Sequence, residues 1–112
     1  IAVPALMERL GESKTKTAQI QIRQLGNVLD MYRLDVGSYP AESNGLEALV
    51  AEPVGVDRWN GPYLQNPEAL TDPWGRPYVY RFPGENGAYD LYSLGSDGAE
   101  GGEGEAADVT SW

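Results

Sequence analysis

The densest collection of groups able to do chemistry is the run Gly95-Ser96-Asp97-Gly98-Ala99-Glu100-Gly101-Gly102-Glu103-Gly104-Glu105-Ala106-Ala107-Asp108, where five carboxylates are interspersed with five glycines. Glycine admits tight turns that aim backbone carbonyls inward, and carboxylates supply charge; a hard cation such as Ca²⁺ asks for that combination. The EF-hand pattern is absent, because Ala99 and Gly101 stand where its second and third ligands would be, and 101–105 is at most one degenerate half of a calcium-binding nonapeptide array. A solvated acidic loop is the competing reading of the same composition. Gly102–Ala107 also fits G-x-G-x-x-A, but a dinucleotide site needs a preceding strand, a following helix and a continuing βαβ unit, so that reading is rejected.

Elsewhere the chemical inventory is thin. The chain has no Cys and no His, which removes thiolate and imidazole metal ligands, disulfides and every nucleophile–imidazole relay. Asp72, Asp90 and Glu47 are carboxylates that a glycosidase-type pair would need, yet nothing in the sequence pairs any two of them. Ser38, Ser43 and Ser96 lack a base, and the expectation is that the protein is not an enzyme. Seven tyrosines and three tryptophans offer either a glycan- or peptide-binding platform or, more economically, the core of a small domain short of aliphatics. With 17 acidic against 8 basic residues the formal charge is −9, a field that repels phosphate backbones and excludes nucleic acid as a partner.

The elements that position these groups follow from the pattern. Ala18, Ile22, Leu25, Leu29, Tyr32 and Val36 recur at alternating spacings of four and three, the stripe of an amphipathic helix. Gly37 supplies a left-handed stop and Pro40 bars continuation, so the helix is expected to run from near Pro4 to Asp35 or Val36. Ile20, Val28, Met31 and Leu34 widen its apolar arc, which leaves two readings: one side on the core and one on a partner, or a helix wrapped by a small domain. Glu42–Val50 is expected to be a short second helix capped by Ser43, with Leu46, Leu49 and Val50 inward. A stretch crowded with Pro and Gly follows, an ordered loop anchored by Trp59, Tyr63, Leu64, Leu70 and Trp74. Residues 78–82 and 89–94 are rich in aromatic and β-branched side chains and predict an antiparallel hairpin, which needs the long helix and a third short strand to be stable. The division is therefore a single domain, 1–112: long helix 1–36, short helix and variable loop 37–77, β-hairpin 78–94, acidic glycine-rich loop and C-terminus 95–112.

In order along the chain stand Val3-Pro4-Ala5-Leu6-Met7, then 29–40 with its Gly37-Ser38-Tyr39-Pro40, then Gly45-Leu46-Glu47-Ala48-Leu49, then Asp72-Pro73-Trp74-Gly75-Arg76-Pro77-Tyr78, then 90–98 with Leu94-Gly95-Ser96-Asp97-Gly98, and finally Ala107-Asp108-Val109-Thr110-Ser111-Trp112. This ordered set resembles the major pseudopilins of bacterial type II secretion systems over nearly the whole length. The resemblance implies an α+β, type IV pilin-like fold, in which a long N-terminal α-helix packs on a small antiparallel β-sheet, with the Pro/Gly-rich loop ordered and a Ca²⁺ held structurally by the C-terminal loop. It implies a subunit that polymerises through its helices into a helical filament, the pseudopilus, whose growth moves folded proteins through the outer membrane. Minor pseudopilins and inner-membrane secretion components would be further partners. It also makes this sequence look like a soluble truncation that begins after an apolar half-helix. The resemblance implies the periplasmic domain of an inner-membrane-anchored protein of a Gram-negative bacterium, which would touch membrane only through that half-helix. A pilin-like subunit of another filament system and a stand-alone calcium-dependent glycan-binding module are the alternatives.

Within the acidic loop, Asp97 and Asp108 are expected to be the anionic calcium ligands and the carbonyls of Leu94 and Ala99 to fill other positions. Asp97 follows the second strand, and Asp108 precedes Val109 and Trp112, which are expected to pin the chain end to the core. Two carboxylates match the charge of the ion, so Glu100, Glu103 and Glu105 are assigned to solvent.

Overall fold

The helical stripe behaves as its spacing dictates. A computed structural model describes residues 2–102 and 107–112, with side chains from residue 14 onward. Helix α1 spans Ala2–Val36 without interruption. Ala18, Ile22, Leu25, Leu29 and Tyr32 are each at most 4% exposed, so the whole inward face is sequestered. The helix ends where Gly37 takes φ +102° and its N–H donates to Arg33 O at 2.8 Å, a left-handed stop that leaves Pro40 buried beyond it. At the other end Pro4 lies in the first turn, where its missing N–H has no partner to lose.

The expected second α-helix over Glu42–Val50 is corrected to a single 3-10 helix, Gly45–Leu49, preceded by Asn44, whose side chain makes no capping bond; Ser43 is not the cap. Gly45 at φ +63° cannot lie inside a right-handed α-helix, so the segment can begin only there. Three residues per turn then place Leu46 and Leu49 on one buried face, and Val50 falls in the turn that follows.

The Pro/Gly-rich stretch is held by its aromatic residues. Trp59 Nε1 donates to Ala48 O at 2.7 Å, the Tyr63 and Leu64 N–H groups both donate to Leu49 O, and Tyr63 Oη–H donates to Asp35 Oδ2 at 2.8 Å. Tyr63 meets Tyr32 and Trp59 edge-on, which seats the loop against the end of α1. A second 3-10 turn, Pro67–Leu70, is capped by Asn66 Oδ1, which accepts the Glu68 N–H.

Three antiparallel strands follow: β1 Val79–Arg81, β2 Asp90–Ser93 and β3 Val109–Thr110, in the order β1-β2-β3. Tyr80 stands opposite Leu91, and Ser93 opposite Val109. The hairpin expected from the sequence is thus present, and its third strand comes from beyond the acidic loop. Val109 is buried and the Ser111 N–H donates to Leu91 O at 2.9 Å, while Leu91 N–H donates to Ser111 Oγ at 3.2 Å. Trp112 is 54% exposed and meets Tyr92 edge-on, so Val109 and Ser111 fasten this segment and Trp112 does not. Leu91, Tyr78, Tyr80, Val109 and the 3-10 leucines close on the α1 stripe to form one core, an α+β arrangement of helix on sheet. Tyr80 Oη–H donates to Pro40 O at 2.7 Å, and Tyr78 bonds to Gln21. Among the described residues no helix is long and apolar enough to cross a membrane.

Candidate functional site

Two features stand out from this frame, the acidic loop and the outer face of α1. The loop leaves β2 through Leu94, which is half-buried. Asp97 is exposed, and its Oδ1 accepts the Ala99 N–H at 3.1 Å, so its carboxylate organises its own turn. The Gly101 N–H donates to Asp108 Oδ2 at 3.3 Å, which brings the outgoing limb of the loop to the residue just before β3. Asp108 Oδ1 is buried and has no hydrogen-bond partner among the described residues. A carboxylate oxygen out of water and without a donor is unfavourable, and a cation relieves it. Glu100 is exposed, and Glu103 and Glu105 lie outside the described residues.

Among the described residues no three acidic side chains converge. Among the described residues, Asp97, Asp108 and the carbonyls of Leu94 and Ala99 form an all-oxygen donor set, the chemistry that Ca²⁺ takes. Leu94, Asp97 and Ala99 lie on one limb of the loop and Asp108 on the other, joined through the Gly101–Asp108 bond.

Two of the three carboxylates that a catalytic pair could draw on, Asp72 and Asp90, accept hydrogen bonds from their own turns and from neighbouring side chains. Asp72 is buried; its Oδ1 accepts the Trp74 and Arg76 N–H groups and its Oδ2 accepts Ser93 Oγ–H at 2.7 Å. Asp90 is buried too, accepting the N–H groups of Glu85 and Asn86 and the Asn86 side-chain amide. Burial pushes the Asp90 carboxyl up, but those donors outweigh it, and the group titrates below the ordinary Asp range. Glu47 stands apart, exposed on the 3-10 helix. Most of the aromatics face one another: Tyr39 meets Phe82 and Tyr89 edge-on, and Tyr80 lies against Tyr89. They pack against the core of the domain.

The sequence did not reveal that the Asp72–Arg76 turn is the acidic loop's neighbour. Its Asp-Pro-x-Gly core is a turn signature, but the partner segment lies about twenty residues on and shares no periodicity with it. On α1, Ile20, Met31 and Leu34 are 49, 53 and 83% exposed, and spacings of eleven and three put them on one side of the helix, away from the sheet. Of the four residues that widen the apolar arc, Val28 packs against the core and the other three are uncovered.

The family described as "Type II secretion system (T2SS), protein G" matches residues 5–112. Over the whole chain, 44% identity relates it to the type II secretion system core protein G of Pseudomonas aeruginosa, of which it covers 80%. The Vibrio cholerae core protein G is 42% identical over 98% of the chain and 76% of its own length. The crystal structure of the major pseudopilin from the type 2 secretion system of enterohaemorrhagic Escherichia coli superimposes with a TM-score of 0.78 at 31% identity, covering 96% of this chain and 89% of that one.

Proposed function

The chain belongs to the protein G family of type II secretion, and from that membership we infer that it is a structural subunit that polymerises into the pseudopilus through which the system exports folded proteins. The family match across 5–112, with the long-helix-on-sheet fold it brings, carries this reading. The uncovered stripe Ile20, Met31 and Leu34 supplies a mechanism, because an apolar helix face in water gains free energy when a neighbouring helix covers it. Minor pseudopilins and inner-membrane components of the system are the further partners of such a filament, and the described domain lies on its periplasmic side.

The acidic loop serves this role as a fastening. Asp97, Asp108 and the carbonyls of Leu94 and Ala99 would hold Ca²⁺, and the buried, unpartnered Asp108 Oδ1 supports it. When bound, the ion supplies a cross-link of fixed charge between the two limbs of the loop. The protein's own residues do the rest: Val109 and Ser111 set the returning limb on β2, and Asp97 shapes the outgoing one.

The test is polymerisation of the full-length protein, imaged as filaments, beside Met31→Asp and Leu34→Asp. Both side chains are exposed, so the variants should melt like the parent yet fail to polymerise. Filaments of normal yield from both would remove the outer face of α1 from the interface.

A further inference from the structure

The stretch Gly95–Asp108 contains no basic residue, yet a guanidinium from another element is laid against its first turn. Arg76 Nη1 donates to Gly95 O at 3.1 Å and lies 3.5 Å from Ser96 O. The approach is so close at Gly98, where φ is +66°, that a Cβ there would sit 2.6 Å from Arg76 Cζ. The base of this side chain is fixed: Arg76 N–H donates to Asp72 Oδ1 at 2.8 Å, and Arg76 O accepts the Asp72 N–H at 2.7 Å. The same Asp72 holds Ser93 Oγ, which in turn accepts the Gly95 N–H at 3.2 Å. Both backbone groups of Gly95 are therefore held, directly or through one hydroxyl, by the Asp72–Arg76 turn.

We propose that Arg76 is a positioning residue that clasps the Gly95–Gly98 turn in the shape that receives a cation, and so sets the loop's affinity for calcium. The inference rests on the calcium reading above. Arg76 takes the carbonyls of Gly95 and Ser96, whereas the oxygens assigned to the ion are those of Leu94, Ala99, Asp97 and Asp108, so clasp and cation do not compete for a donor. Its positive charge opposes the ion, but Arg76 is solvent-exposed and the high dielectric of the surrounding water weakens that repulsion. Against it stands conformational entropy: a turn with positive φ at Gly95 and Gly98 that had to be ordered on binding would lose about fivefold to thirtyfold in the binding constant per ordered residue. Preorganisation is the larger effect.

The experiment is calorimetric titration of CaCl₂ into the parent, Arg76→Ala and Arg76→Lys, with thermal melts and amide hydrogen exchange in chelator. Arg76→Ala should weaken calcium binding about tenfold, and its Gly95–Gly98 amides should exchange faster in chelator while those of β1 stay protected. Arg76→Lys, which keeps the charge and a donating ammonium but not the planar fork, should recover part of the affinity. It decides the matter alone should the alanine variant not fold. A merely structural Arg76 would lower the melting temperature equally with and without calcium and leave Kd unchanged. An unchanged or tighter Kd in both variants overturns the inference while leaving the calcium reading intact; a parent that gives no calcium isotherm overturns the calcium reading, and this inference with it.

Discussion

Replacing Ser93 by Ala removes a single oxygen at a fully buried position and disconnects two partners. Ser93 Oγ donates to Asp72 Oδ2 at 2.7 Å and accepts the Gly95 N–H at 3.2 Å. In the variant the buried Asp72 oxygen loses its donor and the buried Gly95 amide loses its acceptor. Each such orphan costs about 1–3 kcal/mol. Water cannot stand in, because Oγ sits at bonding distance from Cβ whereas a water must keep about 3.5 Å from that carbon. Two orphans with some relaxation give roughly 2–4 kcal/mol. At about 4 °C per kcal/mol for a chain of this length, the melting temperature should fall by roughly 8–16 °C. The assay is thermal unfolding by circular dichroism of the parent, Ser93→Ala, Asp72→Asn and the double variant, all in chelator. Because the two side chains share one bond, the double variant should lose about 1–3 kcal/mol less than the sum of the singles. A loss under about 1 kcal/mol for Ser93→Ala, or strict additivity, would refute the account of Asp72 and Ser93 as one connected unit.

Leu25→Asp and Leu29→Asp each place a charge in the core between α1 and the sheet and should abolish the cooperative melt; a variant that keeps it would mean the inward face of α1 is misassigned. Calcium at a hundredfold excess over Kd should stabilise the parent by roughly 2.7 kcal/mol, or about 10 °C, and Mg²⁺ by much less; Asp97→Ala and Asp108→Ala should lose the response, and a parent indifferent to calcium would end the proposal. Asp90 has its carboxyl held below the ordinary range, so its contribution is full above the unfolded value near pH 4 and disappears as pH falls through the lower folded value. Asp90→Asn should therefore melt below the parent at pH 7 and converge with it in strong acid, and a gap that does not narrow as the pH falls below the ordinary Asp range would show that the lost ionisation is not the cause.

The parts of this fold governed by local repetition were legible in the sequence. The stripe from Ala18 to Tyr32, the stop at Gly37 and the two main strands each leave a signature within a few neighbouring residues, and each is found where that signature put it. The helix expected over Glu42–Val50 shrank to a 3-10 turn because Gly45 adopts a left-handed backbone, a choice that composition around it does not reveal. Strand β3 is only two residues long, too short for any alternation to show, and its pairing with β2 is fixed by tertiary contact. The acidic loop stands out in the sequence by its glycines and carboxylates, but the residues that hold its first turn do not. Arg76 and Ser93 act across the chain by single hydrogen bonds to backbone groups, which impose no pattern on the intervening sequence.

The lateness of β3 sets a clock on biosynthesis. Val109 shares one core with α1 although about 70 residues separate it from the end of that helix, so the sheet has no third strand until all of them have been made. At about 5–20 residues per second, the roughly 70 residues between the end of α1 and β3 take on the order of 4–15 s to synthesise. Throughout that interval the core-forming stripe of α1 lacks its full cover, and it lies on the same helix as Ile20, Met31 and Leu34, which remain exposed even in the finished domain. A nascent helix thus offers neighbours two apolar faces where the mature one offers one. Premature helix pairing competes with folding for those seconds, and every residue that speeds the docking of β3 narrows the window.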